Sequence, residues 1–234
     1  MLENFVDINR FVQRPALPPV PTRAAVFSNY ATWDGYLPAI KAACDAEGIS
    51  LEVIGSGVGN RQLYPEQVLP QFDIVFAKAR AALEAMAIGN AVILCDFAGV
   101  GEMVTSQNYD RFKPLNFGFS ALTQPHSLDV IRAEIRKYNP LESIKVTERI
   151  RQETTLDAYI IQLEEIYRQA ISSPIMNDKK RLFTWQFRLM AFLSAKWAAL
   201  PEAQHSMLKK LFHMPLSLAK RFLEAQLVKR RVHK

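Results

Sequence analysis

The chain is 234 residues long, 49% hydrophobic and 22% charged, with a formal net charge of +6. This apolar content is ample for a core, and the length allows one large domain or one domain with an appendage. No run of about 18 uncharged apolar residues occurs, so no helix is expected to span a bilayer. The N-terminus, MLENFVD, has neither a basic n-region nor an apolar h-region, so no secretory signal is expected. Cys44 and Cys95 both sit in apolar contexts and read as reduced, structural thiols of a cytosolic protein. The net charge conceals a split. Residues 179–234 hold 13 Lys/Arg against 2 Asp/Glu, whereas residues 1–178 hold 16 against 21. Such an asymmetry marks a tail with an anionic partner.

In chain order, residues 1–14 lead into the proline-dense ALPPVPTR, so residues 1–21 read as an extended connector and not as core. Residues 24–29 (AAVFSN) form a first buried strand. A helix over 35–47 follows, its face carrying Leu37, Ile40, Ala43 and Cys44, and Gly48 closes it. A second strand, 51–54, runs into GSGVGN. These glycines read G-x-G-x-G after the second strand, not G-x-G-x-x-G after the first, so a dinucleotide fingerprint is not expected. A flexible turn is the favoured reading, and close approach of a ligand to the backbone is the alternative.

Residues 61–71 read as a short helix or turn, and the stretch that organises the chain comes next. It comprises a buried strand (73–76), a basic turn (77–80), a short helix (81–88), a second buried strand (91–95) and a glycine-bearing loop (98–101). Short apolar runs alternating with helical stretches predict a parallel sheet with crossover helices, whose ligands sit beyond the carboxyl ends of the strands. Lys78 and Arg80 fall there, and Glu84 lies one turn into the helix. Cations beside a helix N-terminus suit an anionic ligand. The competing reading makes Lys78 and Arg80 solvated turn residues and Glu84 a helix-surface carboxylate.

Residues 108–118 read as a surface loop, 125–138 as a helix and 155–171 as an amphipathic helix, while 141–146 is too short to assign. From about residue 178 the pattern predicts helices over 182–200, 203–213 and 216–230, broken at Pro201 and Pro215. Trp and Phe interleaved with Lys and Arg favour contact with an anionic membrane surface. A helical add-on with solvated charges is the alternative. No nucleic-acid reader motif occurs, and nucleic acid is not expected. The four histidines are not arranged with carboxylates or cysteines at metal spacing, and no nucleophile triad is visible.

Three separated pieces share a further pattern. NFVDINRF at 4–11 is similar to an N-G-V-D-x-x-x-F connector, RAALEAMAIGNAVILCD at 80–96 to an L-E-A-M-A-x-G-x-P-V helix and strand, and AGVGEMV at 98–104 to a G-G-x-x-E-(V/I)-V loop. Together they resemble the C-terminal, nucleotide-sugar-binding domain of GT-B glycosyltransferases of the family 4 type, over roughly residues 4 to 171. The resemblance implies an α/β, Rossmann-like parallel sheet forming one half of a GT-B fold over 22–172, to which the charge split and helical pattern add a basic helical extension over 173–234. It implies a nucleotide-diphosphate sugar as donor substrate, with no separate cofactor; the histidine spacing gives no reason to expect a metal. The acceptor half would come from another chain or domain, since a GT-B cleft needs two.

By the same resemblance Glu84 matches the glutamate that accepts from ribose hydroxyls. The glycine loop with Gly99, Gly101 and Glu102 would approach the sugar or diphosphate, and Asn29 and Gly55 are further donor-binding candidates. Lys78 and Arg80 stand where phosphate cations could substitute for the family's own. No catalytic residue is assigned. The sequence departs from the family at Phe76, where the first glutamate of the E-x7-E pair belongs, and at Phe5 and Asn90. A non-catalytic nucleotide-binding or scaffold module on the same fold is therefore the second reading. The expected location is cytoplasmic, peripheral at the inner membrane face.

Overall fold

The computed structural model describes residues 3–172. The chain divides at Ala170/Ile171, so the description covers residues 3–170 of its first unit and the two residues that follow. The helices predicted over 182–230 lie outside the described residues.

Five strands form one sheet: β1 (Arg23–Phe27), β2 (Ser50–Ile54), β3 (Ile74–Ala77), β4 (Ala91–Asp96) and β5 (Gly99–Met103). Their order is β2-β1-β3-β4-β5. The first four are parallel, as expected; β5 runs antiparallel to β4. The predicted 98–101 loop and all-parallel sheet are thereby corrected. Only Phe97 and Ala98 separate β4 from β5, and a two-residue connection can join only antiparallel strands. The glycines of β5 concealed it. A Cβ on Gly99 would lie 2.7 Å from the Gln124 carbonyl oxygen, and one on Gly101 2.6 Å from that of Ala121. Both glycines let the 121–124 segment press on the strand, with Val100 and Gln124 exchanging backbone hydrogen bonds of 2.8 and 2.9 Å.

The helices are α1 (Leu37–Ala46), α2 (Pro65–Val68), α3 (Ala79–Ile88), α4 (Tyr109–Phe112), α5 (Leu128–Ile135), α6 (Pro140–Glu153) and α7 (Leu156–Ser172). The sheet separates two apolar layers, because alternate residues of a strand face opposite sides. Ile74 and Phe76 of β3, with Ile93 and Cys95 of β4, join Leu37 and Ile40 of α1 and Ile131 and Ile135 of α5. Val75 and Ala77, with Val92 and Leu94, join Leu83 and Met86 of α3 and Val146 and Ile150 of α6. Every residue of β3 and β4 is buried, as continuous apolar runs in a covered sheet require.

Two further expectations are revised. Residues 141–146 belong to α6, whose start Asn139 caps by accepting from the Leu141 amide. Its buried face includes Ser143 and Thr147, and Thr147 Oγ1 donates to the Met86 carbonyl at 2.9 Å, so the apolar stripe is interrupted and reads weakly. The N-terminal stretch is not a free connector. Val6, Phe11 and Leu17 are buried. Val6 is clasped between Thr154 and Leu156, and the Arg14 amide donates to Ile88 at 2.8 Å.

Cys44 and Cys95 are free and buried. Burial pushes the Cys44 thiol up to about 12, so it stays protonated and inert near neutrality. Among the described residues, no helix is long and apolar enough to cross a membrane.

Candidate functional site

From β1 the chain steps to β2 on one side and to β3 on the other. In open α/β sheets, ligands bind outside the carboxyl ends of the strands at such a change of direction. Lys78 leaves β3 there, in extended backbone at the N-cap of α3, and no side chain caps the helix. The next residue, Ala79, has φ +52°. The only other non-glycine residues with positive φ among the described residues are Asn116 and Phe117. The three meet: the Ala79 amide donates to the Phe117 carbonyl at 2.7 Å. Left-handed backbone costs roughly 1–2 kcal/mol per residue with a Cβ. Strain of this kind persists only where the surroundings over-determine it, and it gathers at functional turns.

The Lys78 ammonium lies 2.9 Å from Asp96 Oδ2, the two side chains being 17% and 1% exposed. Oδ2 makes no aligned hydrogen bond, so this is a charge contact. The ammonium also sits 3.9 Å from the centre of the Phe119 ring and 5.7 Å from that of Tyr30, within cation–π range. Asp96 Oδ1 accepts from the Phe97 amide at 2.8 Å, Ser28 Oγ at 3.2 Å and the Tyr36 hydroxyl at 3.4 Å. Burial raises the Tyr36 phenol above its ordinary value, and the Asp96 charge adds to the effect. His126 stacks on Tyr36 with ring centres 5.0 Å apart, and its Nε2 lies 2.7 Å from the Asp96 carbonyl oxygen. A carbonyl only accepts, so Nε2 carries the proton.

Asn29 and Gly55 meet beside this cluster. Asn29 Oδ1 accepts from the Ser56 amide at 3.1 Å. A Cβ on Gly55 would lie 2.0 Å from the Ser28 carbonyl oxygen, and one on Gly57 2.3 Å from that of Ala31. The glycine run thus lets the loops leaving β1 and β2 press together.

Arg80 and Glu84 go elsewhere. Arg80 Nε is 3.1 Å from Glu84 Oε1, with side chains 63% and 12% exposed, and the guanidinium lies 5.6 Å from the Phe5 ring centre. Burial raises the Glu84 carboxyl above its ordinary value, with Arg80 opposing. Glu102 is carried by β5 away from the carboxyl end of β4. It pairs with Arg111 at 2.7 Å and accepts from Asn108 at 3.3 Å. Burial raises its carboxyl, but these bonds outweigh burial and hold it below the usual range.

The structure therefore brings Lys78, Asn29 and Gly55 to the carboxyl ends of the strands. Arg80 and Glu84 form a separate pair at the first turn of α3, and Gly99, Gly101 and Glu102 belong to β5. The two cations expected to act side by side have different partners. Sequence reasoning missed Asp96, Ser28, Tyr36 and His126. Asp96 alone left a signal: an ionisable residue closing the otherwise apolar run AVILC. Among the described residues no group of three or more His, Cys, Asp or Glu is disposed to hold a metal ion.

Chemically, the site offers a helix N-terminus without a side-chain cap, an ammonium held by a buried carboxylate, and an exposed guanidinium one step along the helix. Compared with known proteins, the sequence matches no family model and no curated protein.

Proposed function

We propose that residues 22–172 are a glycosyltransferase-type donor domain that binds a nucleotide-diphosphate sugar outside the carboxyl ends of β1, β3 and β4. One observation carries this reading: α3, whose N-terminus has no side-chain cap, follows Lys78 directly at the β1/β3 change of direction, where the described non-glycine residues with positive φ meet. A diphosphate placed there accepts from the Arg80 and Ala81 amides, the Ala79 amide being engaged by Phe117, and gains from the helix dipole. Lys78 lies beside it, and the exposed Arg80 guanidinium, one step along the helix, completes the positive charge. The acceptor half is supplied by another domain or chain, and no residue here is given a catalytic role.

Calorimetric titration of the full chain with UDP- and GDP-sugars tests the reading. Binding to at least one is expected, weakened about tenfold or more by Lys78→Ala and by Arg80→Ala, since a charge-assisted bond is worth about 1.5–3 kcal/mol. Absence of binding to every nucleotide sugar refutes it.

A second reading draws on the ion pairs themselves. Lys78 and Arg80 each already have a carboxylate counter-ion, which suits a module that binds nucleotide without transferring sugar. Supplying an acceptor domain in trans separates the two, because turnover appears only under the first. We also assign residues 179–234, on their charge, to an anionic membrane surface. Co-sedimentation of the full chain with phosphatidylserine vesicles should be lost on deleting them; unchanged sedimentation refutes that assignment.

A further inference from the structure

Around Lys78, three exposed aromatic side chains stand in a row. Tyr30 leaves the end of β1, Phe97 sits at the tip of the β4–β5 hairpin, and Phe119 follows the strained 116–117 turn. They are 65%, 56% and 52% exposed. Large aromatic surfaces left in water at one end of a sheet are a mark of an interaction site, not of a core. Their mutual geometry sharpens the point. Tyr30 meets Phe97 edge-on at 5.8 Å and 69°, and Phe97 meets Phe119 edge-on at 5.5 Å and 60°. Edge-to-face packing joins the rings without stacking their faces on one another. Phe119 turns one face to the Lys78 ammonium, whereas Phe97 has no cation on either face among the described contacts and carries both ring neighbours at once.

The base of Phe97 is fixed, which suits a surface meant to hold a ligand in register. Its amide donates to Asp96 Oδ1 at 2.8 Å, the carboxylate that also holds Lys78 through its other oxygen. One buried side chain thus sets both the aromatic wall and the ammonium beside it. An occupant that matches the pair needs a planar ring with negative charge next to it.

We infer that Tyr30, Phe97 and Phe119 form the wall on which the base of a nucleoside diphosphate stacks, with Phe97 the principal contact. The inference rests on the donor-domain reading and names which part of the ligand this end of the sheet receives. Stacking on an aromatic side chain tolerates any base, because every base has a π face. The wall therefore separates nucleotides from other anions and does not choose among bases.

The experiment titrates the full chain with UDP, GDP and ADP and, separately, with inorganic pyrophosphate, which keeps the charge and lacks the ring. The wild type should bind a nucleoside diphosphate about tenfold or more tightly than pyrophosphate, the range a stacked base contributes. Phe97→Ala should remove that advantage and leave pyrophosphate binding unchanged, while Phe97→Tyr should retain it. If Phe97→Ala binds nucleotide as the wild type does, the wall is refuted and the donor reading stands. If Phe97→Ala weakens nucleotide and pyrophosphate equally, the ring only props Lys78 and the wall is again refuted. If the wild type binds none of these ligands, wall and donor reading fall together.

Discussion

Lys78 and Arg80 are two residues apart, and each has a carboxylate partner, yet the two ion pairs are built in opposite ways. The Lys78–Asp96 pair joins the ends of two neighbouring strands and is almost closed to water. The Arg80–Glu84 pair spans one helical turn, with the guanidinium in solvent. Ala79 separates them: its left-handed backbone turns the chain between extended Lys78 and helical Arg80. Exposed i,i+4 pairs contribute about 0.3–0.5 kcal/mol, whereas removing one partner of a buried pair costs about 3–5 kcal/mol. One cation is therefore a fixed part of the fold, and the other can be moved by a ligand at little cost.

The sharpest break in this contrast comes from Asp96→Ala. It leaves the Lys78 ammonium without its counter-ion and the Ser28 and Tyr36 hydroxyls without their acceptor, and a loss of about 3–5 kcal/mol is expected in denaturant unfolding. A smaller change of opposite sign is expected from Ala79→Gly. Glycine accepts φ +52° without the Cβ penalty, so stability should rise by about 1 kcal/mol even after the greater entropy of the unfolded chain. A fall would show that the turn is not strained.

The Arg80–Glu84 side can be sharpened by pH. Burial raises the Glu84 carboxyl in the folded protein above its unfolded value. Its stabilising contribution is therefore complete below the ordinary glutamate range and lost as pH rises through the raised value. Glu84→Gln should accordingly gain on the wild type as pH rises above the ordinary glutamate value of about 4, read from unfolding midpoints on either side of it. The smallest effect belongs to Arg80→Ala, about 0.5 kcal/mol or less. In the same variant the Glu84 carboxyl, followed by NMR titration, should move further up, because the opposing charge is gone.

Much of the fold was legible in the sequence. AAVFSN, the run ending in VILCD and the LEAMA helix carry the periodicities that strands and a helix need. β5 was not, because Gly99 and Gly101 stand where an apolar alternation would appear, and their purpose is contact with a segment twenty residues later. The first turn of α6 was masked by Ser143 and Thr147, which are buried through hydrogen bonds and not through apolar surface. At the site, position along the chain located Lys78 at a strand end, but no local pattern says which way a side chain points. That depends on Ala79, an alanine in a conformation its identity does not advertise, and on Asp96, reached only across the sheet.

The buried N-terminal strap has a mechanical consequence. Residues 4–14 run the length of α3: the Asn4 amide is tied to the Asn116 side chain at 2.6 Å, beside the strained turn, and Arg14 to Ile88 at the helix's last residue. Tension applied ahead of Asn4 is therefore delivered to the loop that props Ala79, while Arg14 anchors the opposite end. The helix that follows Lys78 is thus gripped at both ends like a lever between two clamps.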